Sequence, residues 1–371
     1  MKKIVPYLPN ELITQILLRL PVKSLIRFKC VRKSWFSLIS SDTHFANSQF
    51  QLTSATRTHR ALFISIVSPH KIRSVDLEAS LDDDSAFASH KYPTSLINIS
   101  HPFSRIEIKG SCRGFILLLR RSTFYIWNPS TGVHKKIPLS PLSFNLDEVF
   151  EYFYGFGYDL STDDYLIVSI SYGTNSSYFE FFSLRANKWE QIDDATHIHY
   201  LNNMEGYDCE AGSLFNGAIH WFACRPDLEN NVIVAFDLMK KKLLDMNLPY
   251  QFDHELSNCG LWVFREYLSL WAMNYDNDTV EIWVMKEYKV HSSWTKTHVL
   301  LTHAIPTKYF FPLCSTKSGD IVGTNGIIGF VKYNDEGQLL GHHSYFNQPY
   351  RSYVVMYTDS LLSLPGDNVQ V

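Results

Sequence analysis

At 371 residues, with 45 % hydrophobic and 19 % charged side chains, the chain is globular rather than disordered, and long enough for one large domain or for a small one joined to a larger. Aromatic residues make up 15 %, including 21 Tyr and 25 Phe, which favours strands over a helical bundle. Net charge is −3, but residues 1–50 hold eight Lys and Arg against two acidic residues, a local +6 that leaves −9 for the remainder. A basic module on an acidic body without a basic stripe argues against nucleic acid and points the module toward an acidic protein.

The N-terminus, Met1-Lys2-Lys3-Ile4-Val5-Pro6-Tyr7, has no apolar run of signal-peptide length. The apolar stretch 260–273 is broken by Arg265 and Glu266, so no membrane partner is expected and the setting is cytoplasmic or nuclear. Six cysteines (Cys30, Cys112, Cys209, Cys224, Cys259, Cys314) contain no CxxC pair and read as reduced core thiols. The sequons at Asn98, Asn175 and Asn277 then never meet the glycosylation machinery.

In chain order, Pro9-Asn10-Glu11 is a helix start, with Asn10 as cap and Glu11 at the positive end of the dipole. Leu12, Ile13, Ile16, Leu17 and Leu20 follow at helical spacing until Pro21 stops the helix. A second short helix carries Leu25, Ile26 and Phe28, and a third carries Val31, Trp35, Phe36, Leu38 and Ile39. Three helices of about ten residues are marginal alone, and they hold more apolar positions than so small a core can hide. Some of these are therefore expected to face a partner.

The run from Leu8-Pro9 through Glu11-Leu12, Ile16-Leu17, Arg19-Leu20-Pro21-Val22-Lys23-Ser24-Leu25, Arg27-Phe28-Lys29, Val31 and Lys33 to Trp35 resembles an F-box almost position by position. The resemblance implies a docking domain over 1–46 that binds the Skp-type adaptor of a cullin–RING ubiquitin ligase. Its adaptor-binding residues would be Leu8, Pro9, Leu12, Ile16, Leu17, Leu20, Pro21, Val22, Leu25, Val31 and Trp35. A polar linker is expected over 47–60.

From residue 61 the period changes to short strands. A run of apolar residues ending in a large side chain and a turn recurs at Trp127, Phe182, Phe236, Trp283 and Tyr333, spaced 55, 54, 47 and 50 apart, with a weaker copy at Val75-Asp76-Leu77. A repeat of about 50 residues built of strands predicts a kelch-like β-propeller over 61–371 with about six blades. The fold class is thus mainly β with a small α module at the N-terminus. Asn216-Gly217 marks a type I′ hairpin, and a last strand within 353–364 would close the ring against the first blade.

These blades also resemble the plant F-box-associated domain, through Gly110-Ser-Cys-Arg-Gly114, Trp127-Asn-Pro-Ser-Thr, Gly155-Phe-Gly-Tyr-Asp159, Asn216-Gly-Ala-Ile-His-Trp221 and Glu281-Ile-Trp with Ser293-Trp. Arg113 departs from the pattern, since many relatives have a small or amide residue there. The resemblance implies a non-catalytic substrate receptor of an SCF-type ligase, with an unspecified protein as target and no cofactor.

Catalytic and metal chemistry is thinly represented. His197 and His199 could share a strand face, and His342-His343 are adjacent, but none has a Cys or carboxylate at zinc spacing. Asp82-Asp83-Asp84 lacks the Gly and Glu of a calcium loop. Asp163-Asp164 reads as a capped turn and Lys240-Lys241-Lys242 as a hairpin tip. The glycine pattern carries neither phosphate-loop nor nucleophile-elbow spacing. Blade aromatics read as core, although a sugar-stacking, lectin-like propeller or a propeller enzyme is the rival reading.

Overall fold

The computed structural model describes residues 8–366 except 56–59, 66–71, 79–86, 91–105, 121–122, 141–148, 174–176, 193–199, 201–210, 256–257, 326–328 and 345–351. Asp82-Asp83-Asp84, His197, His199, Cys209, Asn98 and Asn175 lie outside the described residues.

Proline places the first two helices. Pro9 (φ −54°, ψ 145°) is the N-cap of α1 (Asn10–Leu18), so Asn10 is the first helical residue rather than the cap. The Ile13 N–H closes the first turn on the Pro9 carbonyl at 3.1 Å. Pro21 does the same for α2 (Val22–Phe28), its carbonyl accepting from Ser24 and Leu25 at 2.9 and 3.1 Å. α3 spans Lys33–Ser41. A fourth helix, α4 (Thr43–Ala55), occupies most of the stretch expected as a linker. Asp42 caps it, its carboxylate accepting the Phe45 N–H at 2.8 Å. Phe45, Gln49 and Phe50 turn inward, and this helical face is hidden in the sequence by the polar residues between them.

Strands follow in fours. β1 (Arg60–Ser65), β2 (Ile72–Asp76) and β3 (Phe87–His90) open the series. The second blade is β4 (Glu107–Cys112), β5 (Phe115–Arg120), β6 (Thr123–Trp127) and β7 (His134–Lys136). The third is β8 (Val149–Asp159), β9 (Asp164–Gly173), β10 (Ser177–Ser183) and β11 (Lys188–Gln191). The fourth is β12 (Ser213–Phe215), β13 (Ala218–Arg225), β14 (Asn230–Asp237) and β15 (Lys242–Asn247). The fifth is β16 (Cys259–Phe264), β17 (Tyr267–Asn274), β18 (Thr279–Met285) and β19 (Trp294–Leu301). The sixth is β20 (Phe311–Ser315), β21 (Ile321–Thr324), β22 (Gly329–Tyr333) and β23 (Leu339–Ser344). β24 (Ser352–Tyr357) returns to pair antiparallel with β1, Arg60 opposite Tyr357 and Leu62 opposite Val355. It completes the first blade in the order β24-β1-β2-β3, and the ring has six four-stranded blades.

Each repeat anchor lies on the third strand of its blade. Trp127, Phe182, Phe236, Trp283 and Tyr333 are all buried, and Val75 holds the matching place on β2. That strand is flanked by two others and covered on both faces by neighbouring blades, so it is predominantly apolar, and the repeat is clearest there.

The blades are latched by side chains reaching the preceding or adjoining backbone. Trp189 Nε1 donates to Pro138 O (2.9 Å), Trp294 Nε1 to Asn247 O (3.3 Å), Trp221 Nε1 to Tyr154 O (2.8 Å) and Tyr333 OH to Leu301 O (2.7 Å). Gly155 allows this approach: a Cβ there would sit 2.6 Å from Ile219 and 2.7 Å from Trp221. The innermost strands β24, β4, β8, β12, β16 and β20 are neighbours in ring order.

Antiparallel alternation gives the ring two faces. One carries the turns from first to second strand of blades two to six, such as Arg113-Gly114, Asn216-Gly217 and Arg265-Glu266, each with two positive φ values as a type I′ turn requires. The other carries the turns from second to third strand and the inner ends of the blade-to-blade connections. The apolar stretch 260–273 is accordingly the hairpin β16–β17, with Arg265 and Glu266 at its tip. Of the cysteines expected in the core, Cys112, Cys259 and Cys314 are buried and Cys224 half-buried, whereas Cys30 is exposed just beyond α2. Among the described residues no helix is long and apolar enough to cross a membrane.

Candidate docking surface on the helical module

Helix α1 divides its apolar residues between two faces. Leu12 and Ile16, one turn apart, are exposed, and Leu8 continues the line ahead of the helix. Val31, in the turn before α3, and Phe36 on α3 are exposed as well, so the five side chains stand between 45 and 62 % accessible. Pro9 and Pro21 are also on the surface, while Leu20 and Trp35 are half-buried, Trp35 packing on Phe28 at 5.7 Å.

Three of the residues expected to face the adaptor are buried within the chain itself. Leu17, Val22 and Leu25 are 1, 2 and 0 % exposed and belong to the core. The stripe of Leu12, Ile13, Ile16, Leu17 and Leu20 is wider than one helix face, so part of it had to turn inward, where α4 and the propeller cover it. Phe36, one of the apolar residues of the third helix but not among the expected adaptor contacts, is exposed: Ile39 is buried and Trp35 half-buried on the same helix, and Phe36 points out.

Cations frame this surface. Arg19, Lys23, Arg27, Arg32 and Lys33 are exposed, and Lys29 is half-buried, burial lowering its pKa. Lys29, Cys30, Val31, Arg32, Lys33 and Phe36 border a hollow of about 520 Å³. Its lining combines apolar Val31 and Phe36 with the cations Lys29, Arg32 and Lys33.

The module is mounted firmly. Its buried side chains join Cys112, Phe115, Leu117 and the C-terminal Leu361, Leu362 and Leu364 in one hydrophobic cluster. Arg113, the departure from the family pattern, is the bracket. Its guanidinium lies between the rings of Phe50 (5.1 Å) and Tyr158 (4.1 Å), and Nη2 donates to Asn47 Oδ1 at 2.9 Å. The tail beyond β24 is held by Asn128, whose Nδ2 donates to the Ser360 carbonyl at 3.1 Å, and by Ser130 Oγ, which donates to Asp359 at 2.9 Å. Gly114 (φ +83°) makes room for it, because a Cβ there would fall 2.1 Å from that of Ser360.

Polar clusters in the propeller are engaged in structure. Asp159 is buried and accepts from Ser161 N (2.8 Å), Ser161 Oγ (2.6 Å), Thr162 Oγ1 (2.8 Å) and Lys241 Nζ (2.6 Å). Burial alone would raise its pKa, but these donors hold it well below the usual carboxylate range. Asp164 accepts from Arg185 N at 2.8 Å and from Ser183 Oγ, while Asp163 pairs with Arg185. The Asp163-Asp164 pair therefore organises turns, as expected of a cap. Lys241 (φ 54°) is at the β14–β15 turn, so the lysine run is a hairpin tip with one member reaching across to the third blade. A central channel of about 640 Å³ runs between the inner strands, lined by Ser111, Ser213, Leu261, Val263, Leu313 and Val355 among others.

A helical module that leaves an apolar stripe and a basic rim uncovered, fixed to one face of a six-bladed ring, defines a two-ended binding protein. Residues 6–46 match the F-box domain and residues 63–361 the F-box associated beta propeller domain. F-box protein CPR1 of Arabidopsis thaliana is 30 % identical over 319 residues, covering 78 % of this chain and 72 % of that one. A second Arabidopsis thaliana F-box protein is 29 % identical over 316 residues (78 and 73 %), and an F-box/kelch-repeat protein of the same plant 27 % over 298 (78 and 78 %). The chain belongs to the plant F-box proteins that carry an F-box associated beta propeller domain, and it is of the substrate-receptor type.

Proposed function

We propose that this chain is the substrate-recognition subunit of an SCF-type E3 ubiquitin ligase. The F-box docks on a Skp-type adaptor, and through it on a cullin–RING ligase, while the propeller binds the protein to be ubiquitinated. The observation that carries the reading is the uncovered set Leu8, Leu12, Ile16, Val31 and Phe36 on a domain whose remaining apolar residues are packed against the ring. Such a surface on an ordered module fits a partner, and the Lys and Arg around it speed encounter with an acidic one. The receptor contributes no acid, base or nucleophile; it raises the local concentration of target lysines beside the charged ubiquitin enzyme. It works in the cytoplasm or nucleus, with no cofactor, nucleic acid or membrane required.

Leu12→Asp together with Ile16→Asp tests this. Both side chains are exposed, so the thermal midpoint should stay near wild type while co-purification with the adaptor falls by about 30-fold or more, the size of a lost interface hot spot. Undiminished adaptor binding refutes the assignment.

A further inference from the structure

The F-box is seated on the face of the first-to-second strand turns, at Arg113 and the C-terminal tail. The opposite face is free of it, and on blade five that face is formed by the β17–β18 turn and by the connection running from β19 into β20. Two tyrosines stand there in contact: Tyr275 and Tyr309 have ring centroids 6.1 Å apart at 78° and are 50 and 40 % exposed. Tyr309 is parallel to Phe311 (6.3 Å, 8°), which meets Trp271 edge-on (5.3 Å, 89°), so the exposed pair is the outer end of an aromatic row rooted in the core.

The turns that carry the rings are ordered from within. Asp276 N and Asn277 N both donate to Asn274 Oδ1 at 3.1 Å, and Tyr309 N to Thr307 Oγ1 at 3.3 Å. Rings presented on fixed turns lose little conformational freedom on binding. Their surroundings are negative. Asp276 is exposed and adjoins Tyr275 in the chain. Lys308, the cation beside Tyr309, is already paired with Asp278 at 2.7 Å.

Resting on the receptor reading above, we infer that this face recognises the Lys or Arg side chains of a basic, extended segment of the target protein. The tyrosine faces receive the cation, and Asp276 supplies the opposite charge. The net charge of −9 outside residues 1–50 acts in the same direction.

The test uses the full chain co-purified with its adaptor and a fluorescein-labelled Arg-Gly-Pro repeat peptide, with a Glu-for-Arg peptide as counterpart. The arginine peptide should bind and the glutamate peptide should not. Tyr275→Ala with Tyr309→Ala should weaken binding by about tenfold, whereas Tyr275→Phe with Tyr309→Phe should keep most of it, since the ring face carries the contact. Asp276→Asn should weaken binding and flatten its dependence on salt. Equal binding of both peptides, or an unchanged affinity in the double alanine variant, overturns the inference. Adaptor co-purification is read in every variant and stays constant if only this inference fails.

Discussion

His220 shows what one buried side chain contributes. Its Nδ1 faces the Ser213 carbonyl at 3.1 Å and its Nε2 the Tyr288 hydroxyl at 2.9 Å. A carbonyl can only accept, so Nδ1 carries the proton and Nε2 accepts from Tyr288. Burial pushes the imidazole down from 6.5 to about 4, with Lys289 adding in the same sense. The unfolded chain protonates near 6.5, so this contribution to stability is full above that pH and is lost as pH falls from 6.5 toward 4. The slope is about 1.4 kcal/mol per pH unit, or about 2 kcal/mol by pH 5. Urea unfolding at about pH 7 and about pH 5 should show wild type losing that much more than His220→Asn. Identical losses in the two proteins would remove His220 from the acid response. The sequence offered Ala218-Ile-His-Trp as part of a blade but gave no sign of Tyr288, because the contact crosses from the fourth blade to the fifth.

Among the elements, α4 differs most from expectation. Its composition over 47–55 is polar, with only Phe50 and Leu52 among large apolar residues, so it reads as a linker until Phe50 and Asn47 are seen against the second blade. Arg113→Ala removes the Asn47 hydrogen bond and both ring contacts at once, a loss of about 1–3 kcal/mol at the junction. Hydrogen exchange should accelerate in α4 while the inner blade strands keep their protection. Unchanged protection in α4 would show that the leucine cluster alone seats the module. The turns divide in the same way: Asn216-Gly217 announces itself because both residues tolerate positive φ, whereas Arg265-Glu266 adopts the same turn with residues that do not advertise it.

At the scale of the molecule, ring closure joins the two ends of the propeller. β24 covers the inner edge of β1, and Arg60 at the start of β1 meets Asp359 beyond β24 at 3.6 Å and Asp76 at 3.9 Å. Deleting residues 352–371 would strip that edge and remove Leu361, Leu362 and Leu364 from the cluster that seats the F-box. Such a chain should lose its cooperative thermal transition and bind a hydrophobic dye, followed by circular dichroism and fluorescence. Retention of the wild-type transition would show that the remaining blades hold the ring unaided.

The sequence by itself determined the order of the two domains, a count of about six blades and one apolar anchor in each, because period and burial follow from side-chain polarity along the chain; only the strand order put each anchor on the third strand. It also marked the F-box residues, but not which of them remain outside. Leu12 and Leu17 are equally apolar, and only packing against α4 and the second blade made one surface and the other core. The role of Arg113, the seating of the module and the pairing of Tyr275 with Tyr309 are likewise tertiary. Each depends on contacts between segments far apart in the chain, and no local pattern encodes a distance across a ring.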